Sequence, residues 1–370
     1  MERWSNYMAY TGTNPFSVSF TAMKLRYHDY DNSIESLNFL NPTDKVNVFI
    51  NFESVLNNLS MMRDIDTKLL LERKFPTIFE SEMINLCAHY KKFFRGNGLD
   101  TKVFLYYTDL SSPDFINYKY NDEYRSYYIN KYLQNPKFQL LGNKLLDVII
   151  PRVQKISEFI PNVYFINAPR IDGSLVPFII SKEYPDSKNF IISTDKYDTQ
   201  YLLYRDKFCV HYIKRSSSGS GVFCNFEKYI SDLFKENYEE NNESSLFLNP
   251  SFYSLLLSSL GDKPRSLEPL KGIGVKTVMK YLSSGISNGL FTKQSGSIDM
   301  ILKTFPEDQE ERANENFHCF NIEKQYSDLT QKEIFQITNQ IVDRSDFTSL
   351  IQLNNEDYRD YPLMLPELTS

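Results

Sequence analysis

The chain has 370 residues, of which 41 are Lys or Arg and 47 are Asp or Glu, so its formal net charge at pH 7 is −6. Hydrophobic residues make up 41% and charged residues 24% of the chain, which is typical of a folded globular protein and excludes a mostly disordered or collagen-like one. The acidic balance excludes a protein that coats nucleic acid by overall charge, so any phosphate-binding surface has to be local.

The sequence carries no signal for membrane insertion or secretion. No apolar run reaches the roughly 18 residues that a transmembrane helix needs, and Met1–Tyr10 has no apolar core of signal-peptide length. The four cysteines lie far apart without CxxC spacing, which is typical of a reducing compartment. We therefore expect a cytoplasmic protein without disulfides.

Short apolar runs alternate with longer stretches of helical spacing along the first 213 residues. The runs are Lys45–Asn51, Thr101–Asp109, Asn162–Asn167, Asn189–Asp195 and Lys207–Ile213. This alternation predicts an α/β fold with a mostly parallel central sheet flanked by helices. Ligands of such sheets bind outside the carboxyl ends of the strands, which is where Asn51, Asp109 and Asp195 fall.

The second half of the chain is predicted to be helical. From Pro250 to Leu282 the pattern is a helix, a tight glycine turn and a second helix. A capping box formed by Thr330 and Glu333 opens a late helix. The apolar residues of that late helix are Ile334, Phe335, Ile337, Ile341 and Val342.

The most specific signal lies between Gly261 and Lys280. Within it, Gly272-Ile-Gly274 precedes a helix, and two glycines there let backbone N–H groups and the helix N-terminus approach a phosphate. Five bases accompany two acids in this segment: Lys263, Arg265, Lys271, Lys276 and Lys280 against Asp262 and Glu268. Taken alone, the glycine pair also suits a helical hairpin whose glycines relieve crowding.

The segment resembles the helix–three-turn–helix of the flap endonuclease and 5′-nuclease family, whose pattern is Gly-Asp-x-x-Asp, a short loop and Gly-Ile-Gly-x-Lys-Thr. The resemblance extends upstream in the family's order. Segments that stand where the family has its aspartate-bearing elements or its arch are Val48–Asn51, Leu105–Asp109, Asn117–Tyr132, Asn167–Gly173 and Ile192–Tyr197. Together they reach from Lys45 to Leu282.

We expect four parts in the chain, of which the resemblance covers the two in the middle. Residues 1–44 are an N-terminal extension, 45–213 a PIN-like nuclease-fold domain, 214–300 a helical DNA-binding region, and 301–370 a C-terminal helical extension with an acidic tail. Many Tyr, Phe, Asn, Ile and Lys residues with few Gly indicate AT-rich coding, as in many phages, so we expect a viral source.

The family cleaves phosphodiesters with two Mg²⁺ ions held by clustered carboxylates. Matched position by position, the retained catalytic carboxylates are Asp109, Asp172, Asp195 and Asp262. The replaced positions are Asn51, Arg170, Gly173, Tyr197 and Arg265. The resemblance therefore implies a degenerate site.

Two of the replacements add fixed positive charge where cations would bind. A guanidinium stays protonated and offers no acceptor, so we expect Arg170 and Arg265 to pair with the remaining aspartates. Glu53 or Asp198 could replace a lost carboxylate, because each lies within two residues of one. We expect no cofactor; Mg²⁺ enters only if the site is active, with ligands Asp172, Asp195 and Asp262.

The glycine turn implies a role in binding. The residues expected to contact the backbone phosphates of DNA, branched or single-stranded forms included, are Lys271, Gly272, Gly274, Lys276 and Thr277. The leading hypothesis is a catalytically silent 5′-nuclease homologue that serves as a DNA-binding or scaffold subunit, with protein partners, in a viral replication or transcription assembly. The alternatives are an active Mg²⁺-dependent 5′–3′ exonuclease or flap endonuclease, and a protein-interaction module without DNA binding.

Overall fold

The structure is a computed structural model. It describes residues 43–52, 87, 90–91, 94, 98–108, 150–157, 160–169, 171–193, 195, 197–204, 207–212, 243–262, 267–293 and 298–342. Several predictions fall outside these residues: Asp109, Arg170, Arg265, Glu53, the arch segment 117–132, most of the N-terminal extension and the acidic tail.

All five predicted strands are present, and they form one parallel sheet in the order β3-β2-β1-β4-β5. Their bounds are Lys45–Asn51 for β1, Asp100–Thr108 for β2, Val163–Ala168 for β3, Ser187–Ser193 for β4 and Phe208–Tyr212 for β5. β1, β3 and β4 are buried along nearly their whole length, as expected for parallel strands with both faces covered. The predicted α/β class is confirmed.

Aromatic residues pack across the middle of the sheet. Phe49, Phe104 and Tyr164 are paired in register on three neighbouring strands. Their rings stack with centroid distances of 5.0 Å and 5.1 Å. Such cross-strand pairs add to the stability that area burial provides, and they set the register that aligns the strand ends.

The described helices cover the sheet and then form the helical region. They are α1 Ile150–Ser157, α2 Val176–Glu183, α3 Pro250–Leu260, α4 Val275–Ser287, α5 Ile298–Leu302, α6 Glu307–Phe320, α7 Ile322–Ser327 and α8 Gln331–Thr338. Among the described residues, 3₁₀ segments occupy Gly173–Leu175, Tyr197–Leu203 and Glu243–Leu248. The described helices include none that is long and apolar enough to cross a bilayer.

The prediction for α8 is correct at its start and partly wrong along its length. Thr330 and Glu333 form the capping box in both directions. Ile337 is buried, but Phe335 is 63% exposed and Val342 52% exposed. The reason is the helical period: Phe335 lies two residues from Ile337, so the two side chains leave the helix on different faces.

The helical region packs directly on the sheet through the 3₁₀ segment Tyr197–Leu203. Thr199 Oγ1 and the Tyr253 hydroxyl are 2.7 Å apart, and Ser254 Oγ donates to Gln200 Oε1 at 3.3 Å. One continuous apolar core includes residues from the sheet and from α3 to α8. The boundaries expected at 44, 213 and 300 remain predictions.

Candidate functional site

The strand order changes direction beside β1, which makes this place a topological switch point of the sheet. β1 pairs with β2 on one side and with β4 on the other, so the chain leaves the sheet in opposite directions after neighbouring strands. A crevice outside the carboxyl ends of the strands is expected at such a point. Asn51 ends β1, and Asp195 follows the end of β4 by two residues. The structure thus brings Asn51 and Asp195 to the same edge of the sheet.

Asp198 lies beneath this edge and is fully buried. Its Oδ2 accepts hydrogen bonds from Asn51 Nδ2 at 3.5 Å and from the Tyr106 hydroxyl at 3.3 Å. Burial, followed by the negative charges of Asp198 and Asp195, raises the pKa of Tyr106 well above its usual value, so the phenol stays a neutral donor. A buried carboxylate thus lies beside Asn51 at the end of β1.

Two of the aspartates predicted to belong to the site, Asp172 and Asp195, contact Ser174. Asp172 Oδ1 accepts from the Ser174 backbone N–H at 2.9 Å, and Ser174 Oγ donates to Asp195 Oδ2 at 3.5 Å. Asp195 Oδ1 accepts from the Tyr197 N–H at 2.9 Å. Each carboxylate therefore also orders the chain that follows it, as a side-chain cap does.

Gly173 occupies a position with no room for a side chain. Its N–H donates to Thr108 Oγ1 at 2.9 Å. A Cβ built on Gly173 would lie 2.9 Å from Thr108 Oγ1 and 3.0 Å from both the Thr108 nitrogen and the Tyr107 carbonyl carbon. An aspartate here would have to displace the end of β2. The packing at this position therefore favours glycine.

Tyr197, another position predicted to have lost a carboxylate, is fully buried. Its hydroxyl donates to Gln325 Oε1 at 3.2 Å on α7, and its ring stacks on Phe320 with a centroid distance of 6.4 Å. The side chain thus joins the sheet to the helical region. A carboxylate at this position would lie in the same buried surroundings.

Asp262 opens a tight loop between α3 and the glycine turn. It forms an isolated antiparallel bridge with Leu267, with N–H to oxygen distances of 2.8 Å and 3.0 Å. Gly261 has φ +60°, and a Cβ there would lie 2.5 Å from both the Leu267 oxygen and the Pro269 nitrogen. Glycine at position 261 is therefore required by the backbone here, whereas the bridge at Asp262 uses backbone atoms only.

Part of the predicted metal site lies among the described residues: Asp172, Asp195 and Asp262. In the described part of the chain, no group of three His, Cys, Asp or Glu side chains is arranged to hold a metal ion. Of the positions predicted to have lost a carboxylate, Gly173 is closed by Thr108, and Tyr197 belongs to the core. The expected ion pairs of Arg170 and Arg265, and the position of Asp109, lie outside the described residues.

The glycine turn has the geometry that the sequence predicted. The Ile273 N–H donates to the Leu270 oxygen at 3.2 Å, and Gly272 lies between them at φ +73°. This is a tight turn whose third residue favours glycine. Gly274 is the N-cap of α4 and contributes no capping side chain.

The turn exposes the residues predicted to bind DNA. Lys271, Gly272, Gly274 and Lys276 are exposed, and Thr277 is half-buried. The Thr277 N–H donates to the Gly274 oxygen at 3.0 Å, within the first turn of α4. A Cβ on either glycine would meet nothing within 4 Å, so the space above the turn is open. The turn is therefore available to a ligand from solvent.

Sequence reasoning missed the polar residues that hold these elements. Buried Asn316 on α6 donates from Nδ2 to the Ser258 oxygen at 3.0 Å and to the Glu268 oxygen at 2.9 Å, joining α3 to the loop before the glycine turn. A polar residue next to Phe317 in an otherwise apolar helical position was the available signal. Tyr106 and Ser174 carried none, because only the fold brings them to the aspartates.

A scan against protein families finds no match, and no curated protein matches this chain. Among solved structures, the chain is similar to the bacteriophage T5 flap endonuclease in a pseudo-enzyme–product complex with DNA and metal ions. The TM-score is 0.48 at 13% identity, covering 80% of this chain and 98% of that one. It is also similar to the T5 5′-exonuclease with bound zinc ions, at TM-score 0.47 and 13% identity with the same coverage. The function proposed below rests on this chain's own residues.

Proposed function

We propose that this protein is a 5′-nuclease-like DNA-binding protein that does not cleave DNA and acts as a binding or scaffold subunit in a viral replication or transcription assembly. The observation that carries the proposal is the open, basic turn Gly272-Ile-Gly274 at the start of α4. The replaced carboxylate positions Gly173 and Tyr197 support the absence of cleavage, because both are built into the packing of the protein.

The turn suits a phosphate because three effects act at one place. Gly274 leaves the first N–H groups of α4 without a side-chain cap, and the 13-residue helix directs the positive end of its dipole there. Lys271, Lys276 and Lys280 are all exposed around it. Such contacts read the DNA backbone and carry no base information, so we expect salt-dependent binding with little sequence preference.

The experiment for binding is fluorescence anisotropy with labelled duplex and 5′-flap DNA over a salt series. Gly274→Asp should abolish binding at low salt, since it places a side chain and a negative charge in the path of the phosphate. Asn288→Asp, which adds the same charge at the exposed C-terminal end of α4, is the matched control and should bind within about twofold of wild type.

A second pair of variants tests the nature of the contact. Lys276→Ala should weaken binding about equally for all sequences and flatten the slope of log affinity against log salt by about one contact. Lys207→Ala removes an exposed base at the start of β5 and should change neither the DNA affinity nor the salt slope. If Gly274→Asp binds like wild type, the turn is structural and the interaction-module alternative takes its place.

The alternative of an active Mg²⁺-dependent nuclease is favoured by one observation: Asp172 and Asp195 both contact Ser174. Asp109 and Asp262 would then have to supply further ligands. Incubating the protein with Mg²⁺ or Mn²⁺ and a 5′-flap substrate decides between the readings. We expect no cleavage above a reagent blank; cleavage that disappears in Asp195→Asn would overturn the silent assignment.

A further inference from the structure

The glycine turn is in contact with a helix that follows it by more than thirty residues. The Lys271 backbone N–H donates to the side-chain oxygen Oε1 of Gln309 at 3.1 Å. Gln309 lies in the first turn of α6, and its Nε2 donates to Asp308 Oδ2 at 3.2 Å. The neutral side-chain carbonyl of Gln309 thus accepts from one N–H of the turn. The Asp308 carboxylate accepts from the other end of the same Gln309 carboxamide.

The first turn of α6 is acidic. Glu307, Asp308 and Glu310 belong to it, and Glu311 follows. Acids at a helix N-terminus stabilise that helix through its dipole, which is a sufficient local reason for their presence. The Gln309 contact, however, places this negative charge within a Debye length of the residues around Gly272. A phosphate approaching the turn meets that charge as well as the bases.

We propose that the first turn of α6, residues 307–310, is an inhibitory element for DNA at the glycine turn. This inference rests on the proposed function. Gln309 competes with a phosphate oxygen for the Lys271 N–H, while Asp308 and its acidic neighbours repel the phosphate. DNA binding then requires the Gln309 carbonyl to leave the turn, and the element keeps affinity below what Lys271 and Lys276 would otherwise give.

Position 309 provides two variants with opposite expected effects. Gln309→Ala removes the competing acceptor and should tighten binding. Gln309→Glu keeps the acceptor and its length but adds a negative charge beside the Lys271 N–H, so it should weaken binding. Glutamate near a helix start also favours the helix, so loss of folding does not account for weaker binding by this variant. From tightest to weakest, the expected order of DNA affinity is Gln309→Ala, wild type, Gln309→Glu.

Asp308→Asn tests the electrostatic part. Removing one charge near a bound phosphate should tighten binding roughly two- to fivefold at low salt, with the gain shrinking as salt rises. Asp186→Asn removes the same charge from an exposed turn before β4, at the amino edge of the sheet, and is the matched control. It should leave affinity within measurement error of wild type.

The measurement is anisotropy with a labelled duplex at two salt concentrations, with thermal melts for each variant. If Gly274→Asp abolishes binding while the position 309 and 308 variants match wild type, the inhibitory element is refuted and the proposed function stands. If neither wild type nor the double variant Asp308→Asn with Gln309→Ala binds DNA at low salt, both fall. The expected order at position 309, together with the Asp186→Asn control, supports both.

Discussion

Gln340 and Asn167 form two reciprocal hydrogen bonds across 173 positions of sequence. The Asn167 N–H donates to Gln340 Oε1 at 2.9 Å, and Gln340 Nε2 donates to the Asn167 oxygen at 2.9 Å. Asn167 lies on β3, the outer strand of the sheet. One side-chain amide therefore satisfies the backbone groups that another strand would otherwise pair, which protects the edge.

The two hydrogen bonds between Gln340 and Asn167 should contribute measurably to stability. We expect Gln340→Ala to lower the free energy of unfolding by about 1 to 2 kcal/mol, because it removes two part-buried hydrogen bonds to the backbone of Asn167. Chemical denaturation measures the change, and hydrogen exchange should show faster exchange of the Asn167 amide. Gln331→Ala, at the exposed start of α8, is the control and should cost less than about 0.5 kcal/mol. Equal losses of unfolding free energy in the two variants would refute a specific role for the hydrogen bonds of Gln340.

Two glycines of the predicted motif should respond differently to alanine. Gly261→Ala should cost roughly 2 kcal/mol or more, since φ is +60° and the new Cβ would lie 2.5 Å from two backbone atoms. Gly274→Ala has open space and φ −105°, so it should cost below about 1 kcal/mol, the loss of a favourable N-cap residue. Denaturant midpoints compare the two. A larger loss for Gly274→Ala would contradict the described turn.

Introducing a carboxylate at position 197 should damage the fold without producing cleavage. Tyr197→Asp would bury a charge in place of an aromatic ring, and we expect at least about 3 kcal/mol of destabilisation. Tyr197→Phe, which loses only the hydrogen bond to Gln325, should cost about 1 kcal/mol. Thermal and denaturant unfolding measure both. A stable Tyr197→Asp that gains Mg²⁺-dependent cleavage would show that the position faces the site.

Cysteine reactivity tests the burial of Cys87. Burial raises the pKa of Cys87 from 9.0 to about 12. Its thiol should therefore resist alkylation at pH 8 in the folded protein, whereas half-buried Cys319 should react before Cys87. Peptide mapping after iodoacetamide treatment, with and without denaturant, reports each site.

The same shift has a consequence for stability. Because the folded-state pKa of Cys87 lies above the unfolded value, its contribution to stability is complete below pH 9.0 and declines as pH rises towards about 12. Cys87→Ser should make this alkaline decline shallower, as followed by unfolding at several pH values. If stability declines equally at alkaline pH in Cys87→Ser, other groups cause the decline. Among them are buried Tyr106 and Tyr201, whose pKa values are also raised by burial.

The sequence by itself determined the elements that depend on neighbouring residues. The five apolar runs predict β1 to β5 to within two residues at each end, because a buried parallel strand needs a short continuous apolar run. The capping box of α8 and the helix, glycine turn, helix arrangement were also predicted, since caps and positive-φ turns restrict which residues fit.

Only the tertiary structure decided which of these elements meet and which side chains they face. The strand order, the contact of Asp198 with Asn51, the crowding of Gly173 by Thr108 and the contact of Gln309 with Lys271 all join residues far apart in the chain. Local periodicity says which face of an element is apolar, but not what packs against it. Those partners follow from global packing, in which Tyr197 is drawn into the core and the glycine turn is left open to solvent.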